Sequence, residues 1–128
     1  MHTVAKSWFE AGIIHVLHVG RTTRADFEAM RRESALLQAE HGSLKVLVDT
    51  SQADVHMTLM ELFDFTSTHI AHYKPNTRMA VILSSKAVTI KAQDLALSCN
   101  AASNTGLLLR YFSKKQDAED WLNSRPPA

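Results

Sequence analysis

With one cysteine, three prolines and four glycines in 128 residues, the chain lacks the materials for several common designs. Cys99 cannot form an intrachain disulfide, and no CxxC pair or Cys and His quartet accompanies it, so a disulfide framework and a structural zinc site are both excluded. Gly12, Gly20, Gly42 and Gly106 stand apart from one another. A Gly-rich phosphate loop, a Rossmann fingerprint and a GxSxG nucleophile elbow all need glycines close together where backbone meets ligand, and none is present. Charge of one sign is also missing. Fourteen Lys and Arg oppose thirteen Asp and Glu for a formal +1, whereas a nucleic-acid binder concentrates basic residues to neutralise phosphates. No apolar run approaches the roughly 20 residues that cross a bilayer. The first ten residues hold no signal-peptide hydrophobic region. A reducing, cytoplasmic setting is the expectation, with neither nucleic acid nor membrane span.

Hydrophobic residues form 45% of the chain and charged residues 21%, a balance that supports a packed core. The length suits a single domain over residues 1–128, with 125–128 (Arg-Pro-Pro-Ala) a frayed tail. Residues 4–9 and 13–19 are β-rich and joined by Glu10, Ala11 and Gly12, which predicts an antiparallel hairpin. Thr23 and Asp26 resemble a capping box ahead of Phe27, Met30 and Leu37 at helical spacing, and Gly42 supplies the stop. Residues 44–48 are a nearly continuous apolar run, expected to be a strand buried on both faces and ending at Asp49, Thr50 and Ser51. Thr58 and Glu61 make a full capping box for a second helix whose stripe is Leu59, Leu62, Phe63, Thr66, Ile70 and Tyr73, closed by Pro75. Residues 79–83 repeat the buried-strand pattern. Val88, Ala92, Leu95, Ala96, Cys99 and Ala102 trace a third helix, residues 107–112 a last strand, and Ser113 with Gln116 a capping box for a short helix through Ala118, Trp121 and Leu122. Strands alternating with helices require crossovers. The fold class is therefore α/β: a mixed, mostly parallel sheet with an N-terminal antiparallel hairpin and about four helices.

Catalytic constellations are hard to assemble from what remains. Seven His are present, but His15 and His18 lie three apart on a strand and so face opposite ways, while His69 and His72 share a helix turn with no third ligand. No metal or cofactor is expected, and the chain reads as a non-enzyme. Arg21, Arg24, Arg31 and Arg32 form the nearest approach to a basic patch, but Glu28 is spaced to pair with them along the helix. Ligands of open α/β sheets gather beyond the carboxyl ends of strands, near helix N-termini. Asp49, Thr50 and Ser51, then Ser84, Ser85 and Lys86, and Ser113 with Lys114 are predicted to occupy such ends. Helix capping is the plainer use of those hydroxyls. Met57, Met60, Phe63 and Phe65 around the second helix suit either the core or a site for a small apolar molecule.

The segments 44–51 (LKVLVDTS), 78–83 (RMAVIL) and above all 109–122 (LRYFSKKQDAEDWL) resemble the SpoIIAA-like proteins of the STAS superfamily. The resemblance spans nearly the whole chain. It implies a regulatory or binding module that engages a protein partner or small ligand, with a homodimer compatible. Anti-anti-sigma members of that superfamily take a phosphate on a Ser in an Asp-Ser-Ser-Gly type motif at the helix after the central strand. Here residues 54–58 read Asp-Val-His-Met-Thr, so Thr58 is the one hydroxyl at the expected helix start and the phosphoswitch motif is missing. The expected sites are thus Asp49, Thr50, Ser51, Thr58, Ser84, Ser85 and Lys86, serving a binding module or, alternatively, a phosphorylation-controlled antagonist or an apolar-molecule carrier.

Overall fold

The computed structural model describes residues 3–58, 60, 61, 64, 65, 73–83 and 106–124. Their elements are β1 (Val4–Glu10), β2 (Ile13–Thr23), α1 (Arg24–His41), β3 (Lys45–His56), β4 (Arg78–Ile82), β5 (Leu108–Phe112) and α2 (Lys115–Asn123). The strands form one sheet in chain order, β1-β2-β3-β4-β5, antiparallel between β1 and β2 and parallel elsewhere. The hairpin turns on two residues only. Ala11 (φ 52°) and Gly12 (φ 79°) are both left-handed, the backbone that matches the twist of the flanking strands in a two-residue loop. Among the described residues two helices are complete, α1 and α2. Residues 60, 61, 64 and 65 are helical within the expected second helix, Tyr73 instead occupies a bend, and the expected third helix lies outside the described residues, as do Cys99, His69, His72 and the tail 125–128.

Helix α1 follows β2 without a connecting loop. The Thr23 amide donates to Asp26 Oδ2 at 2.8 Å, so the shorter Asp does the work of Glu in the capping box, and its charge favours the helix N-terminus. Gly42, at φ 69°, ends the helix by donating its N–H to the Gln38 carbonyl at 2.8 Å. The expected Arg24–Glu28 pair forms at 3.0 Å, and Arg24 also binds Asp64.

The central strand is longer than its apolar run. Leu17 pairs with Asp49 but Val19 pairs with Gln52, so Thr50 and Ser51 together oppose His18 in a β-bulge. Before the bulge Val46 and Val48 share the face of Ile14 and Val16; after it Ala53 shares the face of Gly20. One extra residue reverses the parity. Sequence alternation breaks at that point, which is why the strand looks finished at Asp49 although it continues to His56.

Each face of the sheet carries its own core. Ile14, Val16, Val46, Val48, Met79 and Leu109 pack under α1 with Met30, Phe65 and Tyr73, whereas Ile13, Leu47, Ala80 and Ile82 pack under α2 with Ala118 and Leu122. The α2 end is tied by Arg78, whose Nη1 donates to the carbonyls of Trp121 and Ser124, both at 2.9 Å, with its guanidinium over the Trp121 ring. The start of α2 departs from expectation. Its N-cap is Lys114 with no side-chain cap, and Gln116 Nε2 donates to Asp120 instead of closing a box with Ser113.

Buried Gln38 joins three segments. Its Nε2 donates to the Ser43 carbonyl (3.0 Å) and Thr77 Oγ1 (2.9 Å), and its Oε1 accepts from the Lys74 amide at 2.9 Å. Removing it strands several buried polar groups at once, so Gln38→Ala is expected to cost about 3 kcal/mol, read as a lower denaturation midpoint at unchanged slope. Ala11 presents the opposite case, because a non-glycine residue bears strain at left-handed φ. Ala11→Asn should raise stability by about 0.5 kcal/mol in the same assay, and a loss instead would contradict the turn geometry.

Candidate ligand cleft

The hydroxyls expected at the strand ends are largely committed to the fold. Thr50 is buried and its Oγ1 donates to the Ile82 carbonyl at 2.5 Å, closing the open end of β4. Asp49 Oδ1 accepts from the Ser51 amide (2.9 Å) and from Ser51 Oγ (2.6 Å), which braces the bulge from the exposed side. Thr58 Oγ1 accepts from the Glu61 amide at 3.1 Å while Glu61 Oε1 accepts from the Thr58 amide at 3.2 Å, completing the expected capping box. Asp49 and Ser51 therefore lie within β3 and not beyond it, and Thr50 faces away from solvent. Ser84, Ser85 and Lys86 lie outside the described residues. Met57 packs against the core, Met60 is exposed, Phe65 is buried, and Phe63 lies outside the described residues.

A different set of residues surrounds a cleft between α1 and the sheet. Val16 and His18 of β2, Val48 of β3, Met79 of β4, Phe27, Met30 and Arg31 of α1, and Phe65 and Tyr73 line about 300 Å³ of empty space that includes an open mouth. Only about 30 Å³ of that space admits a water molecule. His18 is 1% exposed, with its ring 4.5 Å from that of Phe27, and among the described residues neither ring nitrogen has a hydrogen-bond partner. Arg31 Nε is likewise buried without a partner. Tyr73, by contrast, is satisfied: its hydroxyl bonds Ser34 Oγ, and burial raises its pKa to about 12 against the opposing effects of that bond and the Arg31 charge.

Buried polar atoms without partners are uncommon in native proteins and each costs about 1–3 kcal/mol; three of them, on two residues, line this cleft. Sequence reasoning had one signal for this. His18 falls in step with Ile14 and Val16 on the two-residue period, which places it on the core face. Arg31 and Tyr73 gave no such signal, since their meeting with β2 depends on the crossover and on the bend before Pro75.

Burial lowers the His18 pKa from 6.5 to about 4, the Asp26 carboxylate opposing the shift only in part. Through this window the unfolded chain takes up a proton that the folded imidazole refuses. Stability from this group is full above the ordinary value and falls as the pH drops toward the folded one. Between about pH 7.5 and about pH 5 the protein should lose about 2 kcal/mol more unfolding free energy than His18→Leu does. Equal losses in denaturant titrations of the two proteins would show that the folded imidazole titrates normally.

Among the described residues no group of three or more His, Cys, Asp or Glu is placed to hold a metal ion, and no helix is long and apolar enough to cross a membrane. No curated protein matches the chain. The fold is similar to the crystal structure of an uncharacterized protein with a SpoIIAA-like fold from Shewanella loihica PV-4, at 20% identity and a TM-score of 0.51, covering 94% of this chain and 93% of that one. The sequence itself matches the SpoIIAA-like family over residues 13–123, which takes in every element from β2 to α2. On that match, with a sheet of the corresponding fold beneath it, the chain belongs to the SpoIIAA-like family.

Proposed function

We propose that the chain is a non-catalytic binding module of regulatory type, working in the cytoplasm, that takes a small ligand in the cleft beneath α1. The observation that carries this reading is the unpartnered His18 imidazole, buried in a cleft whose walls are apolar apart from His18, Arg31 and Tyr73. Such a lining, with a few convergent polar groups, is the usual make-up of a small-molecule site. Membership of the SpoIIAA-like family supports a regulatory or binding role in general.

The phosphorylation-controlled antagonist has weaker support. Thr50 is buried and donates to a carbonyl, and the hydroxyls of Ser51 and Thr58 serve the bulge and a helix cap. The carrier of a small apolar molecule remains a version of the cleft reading, favoured by Phe27, Met30, Phe65 and Met79 in the walls. Engagement of a protein partner would use the exposed side of the bulge, at Asp49 and Ser51.

Native mass spectrometry of the protein recovered from its own cells distinguishes these readings. A retained small molecule that is lost from Met30→Trp, a substitution that fills the cleft, is the expected outcome. A phosphate adduct on Ser51 or Thr58 with an empty cleft would replace the ligand reading by the antagonist, and a stable complex with no small molecule would replace it by the protein partner.

A further inference from the structure

We propose that the free edge of β1 docks a second copy of this chain, whose own β1 lies antiparallel to it across a twofold axis at Trp8, joining two five-stranded sheets into one continuous sheet. The contact is separate from the cleft beneath α1 and does not depend on the ligand reading.

Among the described residues β1 is an outer strand, with β2 on one side and no strand on the other. Its seven residues pair with β2 in unbroken register, from Val4 with Val19 to Glu10 with Ile13. The two-residue turn makes Glu10 and Ile13 the closing hydrogen-bonded pair. Alternation then directs the N–H and C=O groups of Val4, Lys6, Trp8 and Glu10 toward β2 and those of Ala5, Ser7 and Phe9 toward the open edge. Helix α1 holds the strand from one face, where Ser7 Oγ donates to Glu33 at 3.3 Å and the Phe9 ring stacks on His41 with centroids 4.0 Å apart. Proteins blunt a free edge with a short strand, proline, a bulge or charge. Here only charge is present, at Lys6 and Glu10.

Those two charges select the occupant. The two-residue period puts Lys6, Trp8 and Glu10 on one face of the strand. An antiparallel copy centred on Trp8 sets Lys6 opposite the second copy's Glu10, and the twofold axis makes that pair twice. In the same register Ser7 and Phe9, whose backbone groups point outward, exchange hydrogen bonds with Phe9 and Ser7 of the second copy. Both charged ends already lie beside the ring on the axis: Lys6 Nζ is 5.3 Å from the Trp8 ring centroid, and Trp8 Nε1 donates to Glu10 Oε2 at 3.3 Å. Neighbouring registers are poorer. Centring on Ser7 sets Glu10 against Val4, and centring on Lys6 brings two ammonium groups together. The far edge of the sheet is β5, and joining β1 of one copy to β5 of the next would build an open chain of molecules, whereas β1 on β1 closes as a dimer.

The experiment is analytical ultracentrifugation of the full chain over a concentration series, with amide hydrogen exchange followed by NMR on the same samples. The unaltered chain should sediment as a monomer–dimer equilibrium, and the Ser7 and Phe9 amides should exchange about tenfold or more slowly as the dimer fills. Lys6→Glu and Glu10→Lys should each raise the dimer dissociation constant about tenfold or more, because each sets like charges opposite one another at two places. The double exchange should bring it back to within about threefold of the unaltered value. Both residues are exposed, so neither exchange disturbs the core. Recovery in the double variant is a result that loss of fold cannot imitate. A chain that stays monomeric up to millimolar concentration, or a dimer indifferent to both single exchanges, would overturn the proposal. So would single exchanges that weaken the dimer without recovery in the double variant. Slow exchange at Ser7 and Phe9 in a chain that sediments as a monomer would give the edge to another occupant and rule out the second copy.

Discussion

Parallel pairing of β3 with both β2 and β4 is the constraint on which the rest of the molecule depends. Val46 and Leu47 point to opposite faces of that strand and both are essentially inaccessible, so each face of the sheet must be covered. Parallel neighbours cannot be joined by a tight turn, and a right-handed crossover carries the connection over one face. That puts α1 over Ile14, Val16, Val46 and Val48, and among the described residues α2 covers the other face. Gln38 and Arg78 then hold these two covers in place, the first at the C-terminal end of α1 and the second at the C-terminal end of α2.

The bulge at Thr50 and Ser51 links that framework to the cleft. It lies directly across from His18, and the hydroxyls and carboxylate that brace it are the ones expected at a binding rim. Their bonds serve the fold, Thr50 Oγ1 reaching the Ile82 carbonyl and Asp49 Oδ1 the amide and hydroxyl of Ser51. Among the described residues, unmade bonds remain at His18 on β2 and Arg31 on α1, where burial makes each of them costly. The proposed ligand site would account for this cost, since small-molecule sites combine mostly apolar walls with a few polar groups. On that proposal the usual trade between stability and function is local, since the groups whose replacement would stabilise the empty protein are the ones that would meet the ligand.

Most of the strand plan was legible because local rules and global packing agree there. Alternation located β1 and β2, the apolar run located the first half of β3, and Thr23 with Asp26 and Thr58 with Glu61 announced helix starts that form as written. Disagreement appeared where a local pattern had a competitor. The Ser113 and Gln116 spacing offered a cap that the chain does not use, since Gln116 bonds Asp120 along the helix face. The end of β3 was misplaced because a bulge shifts the side-chain period by one residue, and such a shift reads in one dimension as the end of a strand.

The type and order of the described segments, strand alternation and the lack of clustered glycines or cysteines came from the sequence alone, since each follows from the covalent chain and its nearest neighbours. The site did not. His18, Arg31 and Tyr73 belong to a strand, a helix and a bend that are distant along the chain. Whether a polar group finds a partner or is left without one is settled only when those elements close over it, because desolvation is a property of the packed surroundings and not of the residue.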